Sequence, residues 1–329
     1  MRHSRRTMLF LAAAAIALFA ATGVRADTKP VKIGLVAVNY NSPSINAITH
    51  AAMAAAKERG WEVELFDGRG DQVATNNATT NFIDRGFSAI INIASPNPQM
   101  SGVIKHANEA HVPFVSAFSG LVPGITAEIG SNNTADGVIA TTEMVGRLSG
   151  IGHVVKMNWT VLPALRERDH GFHAVVQDYK GLKVTEIELK VPGQVDDAYN
   201  QMTNLLLANK DINAVWVGWD EVAAPVVRAI QQAHLENKIF VVSEDGDQAA
   251  LDLIREGTPL VLTVAYDKDR MGRATVDVVA DALAGKQPPT RLLALRPCLI
   301  TKSTVPPKGQ PIDFKTCTLF SGEAALPEK

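Results

Sequence analysis

Short apolar runs rich in β-branched residues alternate with segments of helical periodicity along this chain. The first set of strand-like runs comprises residues 31–38, 61–66, 89–93 and 113–117. Segments with apolar or alanine residues at helical spacing lie between them, at residues 44–59, 74–85 and 99–110. Strands that are apolar along their whole length and separated by helices are typical of a parallel sheet covered on both faces. This part of the sequence therefore predicts an α/β fold.

The same alternation starts again after residue 133. The second set of strand-like runs comprises residues 153–157, 183–190, 214–217, 239–243 and 261–265. Its helical segments are residues 134–149, 164–179, 196–208, 221–234, 248–256 and 268–284, with a turn at residues 150–152. Two sets of this kind predict two open α/β sheets of similar size. About 300 residues also exceed what one hydrophobic core comfortably serves, which favours two domains.

The first 26 residues have the pattern of a secretory signal peptide. Three arginines lie among the first six residues, an apolar run covers residues 8–21, and residues 24–26 end in a small-x-small cleavage pattern. Residues 4–10 also resemble a twin-arginine export signal, although we favour a general secretory signal that holds two arginines. Such a signal would direct the protein out of the cytoplasm, and cleavage after Ala26 would remove 26 of the 329 residues and leave 303.

The charge balance argues against polyanionic partners. The whole chain has a formal net charge of −2, and the first 26 residues contain four arginines and no acidic residue, so the mature chain would carry −6. A mildly acidic protein without basic clusters is a poor candidate for binding nucleic acid or an anionic membrane.

The C-terminal segment is weakly patterned, rich in proline and lysine, and reads as a tail beyond residue 301. The two cysteines of the chain, Cys298 and Cys317, lack metal-ligand spacing. In an oxidising compartment a disulfide that holds the tail is the favoured interpretation, and two free thiols are the alternative.

Catalysis is the less favoured interpretation of this sequence. It contains no Gly-x-Ser-x-Gly elbow, no Walker loop and no His-Glu-x-x-His helix, and Gly68-Arg69-Gly70 lacks the third glycine of a dinucleotide fingerprint. His170 and His173 lie three residues apart on one predicted helix, but we find no carboxylate or third histidine at matching spacing. We therefore predict surface or hydrogen-bonded histidines, no metal and no cofactor.

Binding is better supported, because ligands of open α/β sheets lie beyond the carboxyl ends of the strands. The loops at those ends are residues 39–43, 94–98, 118–121, 158–163, 191–194, 219–220, 244–246 and 266–267. Arg168 opens a helix just after one of them and Asp245 lies in another; an arginine fork and carboxylate acceptors suit vicinal hydroxyls. The alternatives are a solvated surface charge for Arg168 and a helix cap for Asp245.

Two tryptophans lie three residues apart where an apolar run meets a helical pattern, in the segment AVWVGWDEVAAPVV at residues 214–227. Side chains three apart on a strand point to opposite faces. We therefore predict that Trp216 packs in the core against a covering helix. Trp219, past the end of the strand, should face the binding cleft.

The order of several short segments resembles the ribose-binding-protein-like periplasmic substrate-binding proteins of ABC importers. The segments are residues 31–38 followed by Asn41-Ser42-Pro43, Arg166-Glu167-Arg168 before Gly171-Phe172, Asp220-Glu221 after residues 214–217, and Val241-Val242 with Asp245-Gly246. The resemblance covers about residues 31–302. It implies two Rossmann-like lobes that close over a ligand about three hinge crossings, near residues 130–133, 265–266 and 295–298.

The same resemblance implies where each lobe lies in the chain. The N-terminal lobe would comprise residues 27–131 with 266–296, and the C-terminal lobe residues 132–265 with 297–302. Residues 1–26 would be the signal peptide and residues 303–329 the tail.

Carried over residue by residue, the family pattern is only partly kept. The hydroxyl-clamping arginine falls on Arg168 and the second-lobe aspartate on Asp245. The first-lobe Asp-Arg pair falls on Phe118 and Ser119, and the usual Asn before Asp-Glu is Trp219. The aromatic pair after the first strand falls on Ser44 and Ile45, with Tyr40 nearby, and the hinge-side glutamine falls near Tyr266. Such an exchange of polar groups for aromatic ones favours a ligand with more apolar surface or fewer hydroxyls than an ordinary aldopyranose.

The resemblance implies a periplasmic solute-binding protein that delivers a sugar-like or polyol-like molecule to an inner-membrane ABC permease. We expect a monomer, although the sequence leaves the oligomeric state open. The expected ligand-binding residues are Tyr40, Ser42, Ser44, Phe118, Ser119, Trp159, Arg168, Trp219, Asp245 and Tyr266. Two alternatives are a sensor that presents its ligand-bound form to a chemoreceptor or histidine kinase, and a secreted α/β enzyme. Lac-repressor-type regulators share the lobes, but the export signal and the missing helix-turn-helix argue against them.

Overall fold

A computed structural model of the protein describes residues 30–321, which contain two six-stranded sheets. Their strands, in chain order, are β1 (Lys32–Ala37), β2 (Glu62–Asp67), β3 (Ala89–Ile93), β4 (Phe114–Ala117), β5 (Ala127–Ser131), β6 (Ile151–Asn158), β7 (Gly181–Glu188), β8 (Ile212–Val217), β9 (Phe240–Asp245), β10 (Leu260–Ala265), β11 (Leu292–Leu295) and β12 (Cys298–Thr301). The predicted signal peptide, residues 1–26, and the end of the predicted tail lie outside the described residues.

The helices of the described residues lie between these strands as the periodicity predicts. They are α1 (Pro43–Glu58), α2 (Gln72–Asp84), α3 (Ser101–Glu109), α4 (Asn133–Leu148), α5 (Pro163–Val176), α6 (Gln194–Ala208), α7 (Ala223–Gln232), α8 (Gln248–Glu256) and α9 (Lys268–Leu283). Among residues 30–321 we find no helix with the length and apolarity needed to cross a membrane.

The first sheet has the strand order β11-β5-β4-β3-β1-β2 and the second β12-β10-β9-β8-β6-β7. Every neighbouring pair is parallel except β10 and β12, which are antiparallel. The predicted α/β fold with two parallel sheets flanked by helices is thereby confirmed. Because parallel strands end at the same edge, the loops after the strands converge at one end of each sheet.

The chain passes from one sheet to the other three times. The first passage joins β5 to α4, the second joins β10 to α9, and the third joins β11 to β12. Helix α4 packs on β6, β8, β9 and β10, whereas α9 packs on α1, β4 and β5. Each passage is only one or two residues long, so the strand ends hold the two sheets close together.

Helix starts at the carboxyl edge of the sheets follow from local sequence. Asp71, Asn132 and Asp267 each accept a hydrogen bond from a backbone N–H of the helix that follows. Pro43 and Pro163 occupy the first turns of α1 and α5, where the absent N–H would have had no partner.

Sequence reasoning missed three strands, β5, β11 and the four-residue β12, and misplaced several strand ends. β5 carries a buried glutamate and a glycine instead of an apolar run, and β11 is a half-exposed edge strand, so neither has the pattern of a buried strand. The turn expected at residues 150–152 is wrong at its end, because Ile151 and Gly152 already pair with β7. The run at residues 239–243 extends as β9 to Asp245, because parallel pairing with β10 continues through polar residues.

Trp216 is fully buried in the second sheet, and its ring centroid lies 5.2 Å from that of Phe172 on α5. The predicted core position of this tryptophan is confirmed. Large aromatic rings bury much apolar area and form favourable tilted contacts, so this pair anchors α5 on the sheet.

Cys298 and Cys317 form a disulfide in the structure. The backbone N–H of Leu299 also donates a hydrogen bond of 3.0 Å to the carbonyl of Thr318. The tail is thus held along the edge strand β12, which covers backbone groups that an open edge would expose.

Candidate ligand-binding site

A cavity of about 70 Å³ lies between the two sheets, where the loops after their strands meet. On the side of the first sheet its lining residues are Val38, Asn39, Ser42, Ser44, Ile45 and Phe118. On the side of the second sheet and the hinge they are Trp159, Leu162, Ala164, Leu165, Arg168, Val191, Gln194, Trp219, Glu221, Asp245 and Tyr266. The position agrees with the rule that ligands of open α/β sheets bind at the carboxyl ends of the strands.

The structure brings most of the sequence-predicted residues to this cavity. Those that line it are Ser42, Ser44, Phe118, Trp159, Arg168, Trp219, Asp245 and Tyr266. Tyr40 lies outside the lining, with its hydroxyl 2.8 Å from Nε2 of His50. Ser119 also lies outside it, and its hydroxyl donates to the carbonyl of Ala117 at 3.1 Å. Their roles as ligand contacts stay predictions.

Sequence reasoning did not select three polar lining residues, Asn39, Gln194 and Glu221. Glu221 accepts hydrogen bonds from Ser42 Oγ at 2.9 Å and from Gln194 Nε2 at 3.0 Å. Asn39 and Gln194 belong to loops that follow strand ends, so the position rule contained the signal for them. Glu221 lies at the start of a predicted helix, where a solvent-exposed acidic residue is common, so its residue type alone did not indicate a place in the cavity.

Arg168 is buried, with only 1% of its surface exposed. Its Nη1 lies 2.9 Å from Asp245 Oδ1, its Nε lies 3.1 Å from Glu244 Oε2, and Nη1 also donates to the carbonyl of Gly218 at 2.7 Å. The alternative of a solvated surface charge is therefore wrong for this arginine. A buried guanidinium held by two carboxylates is a rigid donor group at the cavity wall.

Asp245 is the last residue of β9, and the N-cap position of α8 belongs to Asp247 instead. The capping alternative for Asp245 is thus wrong. Its backbone has a φ of 135°, a rare conformation for a residue with a side chain. That backbone conformation and the ion pair with Arg168 together hold its carboxylate at the cavity.

The ionisation of this group is set by burial and by the arginine together. Burial disfavours the charged form of Arg168, but Asp245 and Glu244 more than offset it and raise the pKa of the guanidinium. Burial raises the pKa of both carboxyls, and Arg168 opposes that rise. The arginine is therefore charged, and its charge is compensated inside the protein.

Two further buried acids surround this group without adding full charges at neutral pH. Burial raises the pKa of Asp136 to about 7. Burial, followed by Asp247 and Asp245, raises the pKa of Asp220 to about 8, although Ser243 donates its hydroxyl to it and the backbone N–H of Asp247 donates to it at 2.7 Å. Protonation of such carboxyls leaves the second-sheet side of the cavity close to neutral.

Aromatic rings form much of the rest of the wall. The rings of Phe118 and Tyr266 meet edge to face with centroids 4.6 Å apart, and the guanidinium carbon of Arg168 lies 5.6 Å from the Phe118 ring. Trp219 is buried, with its Nε1 3.4 Å from Glu221 Oε2, as expected for a cleft-facing ring with a polar handle. Trp159 completes the aromatic lining.

The two sides of the cleft contact each other directly. Ser42 Oγ donates to Glu221 Oε2 at 2.9 Å, and Ser44 Oγ donates to Asp247 Oδ1 at 2.7 Å. Each bond joins the start of α1 to a loop of the second sheet. The structure is therefore a closed form of the cleft, and a ligand would enter after these bonds open.

Asp169, His173 and Glu186 offer ligand atoms within 4.8 Å of one another. The sequence-based statement that the histidine pair lacks a carboxylate at matching spacing is wrong, because Asp169 lies one turn before His173 and Glu186 lies on the neighbouring strand. The ammonium of Lys156 lies 2.7 Å from Glu186 Oε2 and also pairs with Asp169. A built-in cation thus occupies this cluster, and His173 is hydrogen-bonded as predicted.

Glu128 is a buried carboxyl that holds the loop after β4. Its Oε1 accepts the backbone N–H groups of Ser119 at 2.8 Å and Gly120 at 3.1 Å, and Ser116 donates its hydroxyl to Oε2. Burial raises the pKa of Glu128 to about 7 despite these hydrogen bonds. Folding therefore favours the protonated form of Glu128. The loop that carries Phe118 depends on the hydrogen bonds that this carboxyl accepts.

Because this pKa is higher in the folded chain than in the unfolded one, stability from Glu128 is fully present below about pH 4.5 and is lost as pH rises through about 7. Glu128→Gln keeps the acceptor and cannot ionise. We expect its free energy of unfolding, relative to wild type, to increase by about 3 kcal/mol between pH 4.5 and 8. Urea unfolding at several pH values measures this difference, and parallel pH curves for the two proteins would contradict it.

Comparisons with known proteins identify similar chains. A model of the family described as periplasmic binding protein domain matches residues 33–287. The ribose import binding protein of Bacillus subtilis (strain 168) is 28% identical over 268 residues, which cover 79% of this chain and 84% of that protein. That of Escherichia coli (strain K12) is 25% identical over 277 residues, covering 83% and 91%.

A solved structure has a similar fold. The 5-methylthioribose transporter solute binding protein from Thermotoga lettingae TMO, in complex with 5-methylthioribose, superposes with a TM-score of 0.78 and 25% sequence identity. The match covers 83% of this chain and 87% of that one.

Proposed function

The chain belongs to the family of periplasmic binding protein domains, and on that premise we propose that it binds a small sugar-like or polyol-like molecule in the cleft and delivers it to an inner-membrane ABC permease. The observation that carries this proposal is the buried group of Arg168, Asp245 and Glu244 beside the aromatic wall. An arginine fork and carboxylate acceptors match vicinal hydroxyls, while aromatic faces suit the apolar C–H face of a ring.

The ligand of this proposal is uncharged and less hydroxylated than a hexose. Asp245 and Glu244 already compensate Arg168, and Glu221 adds a carboxylate to the lining, so an anionic ligand would meet uncompensated negative charge. Phe118 and Trp219 offer apolar surface in place of further hydrogen-bonding groups. The names of the similar proteins span ribose and 5-methylthioribose, a sugar with an apolar substituent, and we place the ligand in that range.

The proposal extends to the setting of the protein. It includes export through a signal peptide cleaved near Ala26, a monomeric state, and binding without turnover or nucleic-acid contact. It also includes the lobe boundaries, with residues 27–131 and 266–296 in one lobe and 132–265 and 297–302 in the other. Ligand recovered unchanged after long incubation would support a binding protein over an enzyme.

A thermal-shift and calorimetric screen of the mature protein tests this proposal. The compounds are ribose, 5-methylthioribose, allitol and myo-inositol, with glucose 6-phosphate as an anionic comparison. We expect at least one neutral compound to raise the melting temperature, because a ligand at 100 times its Kd stabilises the folded state by about 2.7 kcal/mol. Stabilisation by the phosphorylated sugar alone would contradict the proposed ligand class.

Trp219→Ala should weaken binding of the confirmed ligand about tenfold or more, because one apolar face of the cavity is lost. Trp61→Ala is the matched control, since Trp61 precedes β2 and packs beside Arg59 away from the cavity. Equal affinities in the Trp219 variant, the Trp61 variant and the wild type would mean that the ligand binds elsewhere.

A further inference from the structure

A second cavity of about 320 Å³ lies next to the candidate ligand site. Its lining is formed by β5, the start of α4 and parts of α5 and β11, and is more polar than that of the first cavity. The polar lining residues are Glu128, Ser131, Asn132, Asn133, Thr134 and Glu167. The second cavity thus offers more polar groups than the first one does.

Phe118 lies between the two cavities and lines both of them. On one side its ring meets Tyr266 edge to face at 4.6 Å and lies 5.6 Å from the guanidinium carbon of Arg168, which belong to the first cavity. On the other side its Cδ1 lies 3.9 Å from the position that a Cβ on Gly130 would occupy, and Gly130 lines the second cavity. The benzyl group therefore forms part of the partition.

The backbone holds this partition in an unusual conformation. Phe118 has a φ of 58°, in the left-handed region that is unfavourable for a residue with a side chain. The strain is overcome by hydrogen bonds on both sides: Phe118 N–H donates to the carbonyl of Ile129 at 3.1 Å, and Glu128 accepts the next two N–H groups. A strained residue held by its surroundings points to a specific role for its side chain.

The second cavity offers acceptors that a hydroxylated group could use. Asn133 is buried and donates through Nδ2 to Glu167 at 2.9 Å, while its Oδ1 has no hydrogen-bond partner among residues 30–321. Buried polar atoms are seldom left unpaired, so this acceptor suits a hydroxyl donor from a bound molecule or from water. The carboxylate of Glu167 adds a further acceptor and disfavours anions.

We propose that Phe118 determines the upper size of the ligand, because its ring closes the candidate site off from the second cavity. When this ring is removed, the two cavities join, and the second one accommodates an additional hydroxylated ring. The inference rests on the proposed function, since it assumes that the first cavity is the ligand site.

The test compares ligand size profiles of wild type, Phe118→Ala and Phe118→Gly. The probes are galactose with lactose, glucose with maltose, and myo-inositol with galactinol, each measured by calorimetry and thermal shift. We expect wild type to reject all three larger probes, and the variants to bind at least one of them ten times more tightly than wild type does. Phe118→Gly is included because glycine adopts a positive φ without strain and so retains the fold more readily.

Leu121→Ala is the control for the second cavity itself. Leu121 lines only that cavity and is 49% exposed, so its truncation enlarges the space without opening the partition. Its size profile should match that of wild type. A gain of disaccharide binding in the Leu121 variant equal to that of the Phe118 variants would overturn the assignment of the partition to Phe118.

The outcomes separate this inference from the proposed function. If wild type binds none of the small neutral probes in either screen, the proposed function fails. A disaccharide that binds to the folded Phe118 variants and not to wild type still supports the role of Phe118 in separating the cavities. Disaccharide binding by wild type overturns the size limit. If Phe118→Ala and Phe118→Gly do not fold, Phe118→Leu takes their place. A size profile of the folded variants that equals that of wild type overturns the size limit as well.

Discussion

Arg168→Ala is expected to lower the free energy of unfolding by about 3–5 kcal/mol at pH 8 and to abolish ligand binding. Arg168 is the cation that compensates Asp245 and Glu244, both of which are buried beside it. Removing one partner of a buried ion pair leaves an unpaired buried charge, which is the costly case. Urea unfolding gives the stability, and calorimetry with the ligand found for wild type gives the affinity.

The pH dependence distinguishes this cause from a simple loss of packing. Protonated carboxyls need no cation, so the deficit of Arg168→Ala should shrink as pH falls from 8 to 5. Arg166→Ala is the matched control on the same helix, because Arg166 is partly exposed and donates to the carbonyl of Thr160 at 2.8 Å. We expect it to cost less than about 1 kcal/mol. A deficit of the Arg168 variant that does not change with pH would contradict the electrostatic explanation.

Arg168→Lys tests the geometry of the same group. Lysine keeps the positive charge but offers no planar fork of donors, so most of the stability should be retained while ligand affinity falls at least tenfold. Wild-type affinity in this variant would mean that the donor geometry of Arg168 plays no part in recognition.

Gly137→Ala is expected to destabilise the protein by about 3 kcal/mol or more and to weaken ligand binding as well. An added Cβ on Gly137 would lie 2.1 Å from the carbonyl oxygen of Arg168 and 2.8 Å from its carbonyl carbon. These are backbone atoms that cannot rotate away, so α4 and α5 would have to separate. The displacement would move the backbone of Arg168 away from Asp245, which explains why a substitution outside the cavity should affect binding.

Gly146→Ala is the control for this substitution. Gly146 lies on the same helix, and an added Cβ there meets no atom within 4 Å in the described part of the chain. Alanine is the better helix former by about 1 kcal/mol, so this variant should be as stable as wild type or more stable. Circular dichroism during urea unfolding compares the three proteins. Similar destabilisation by both substitutions would contradict a tight contact between α4 and α5.

Periodicity was sufficient for most of the secondary structure because buried strands and amphipathic helices carry their burial in their sequence pattern. It failed for β5, which carries Glu128 in a fully buried strand. The carboxyl of Glu128 is buried because Ser116, Ser119 and Gly120 donate hydrogen bonds to it. These partners lie in another strand and its loop, so no local pattern reveals them.

The sequence likewise located some residues of the candidate site but did not reveal their tertiary contacts. The rule that ligands bind after strand ends located Arg168, Trp219 and Asp245 from the order of the elements. It could not tell that Tyr40 would turn its hydroxyl to His50 instead of the cavity, since that depends on a neighbouring helix turn. It also could not tell that Arg168 is buried.

The sequence by itself determined the α/β class, the two sheets and the loops from which the site is made, because these follow from local periodicity and from the direction of parallel strands. Only the tertiary structure decided that Arg168 is compensated by Asp245 and Glu244, and that Phe118 lies between a small apolar cavity and a larger, more polar one. Charge compensation and cavity shape depend on distances between residues far apart in the chain, and those distances exist only once both sheets have packed together.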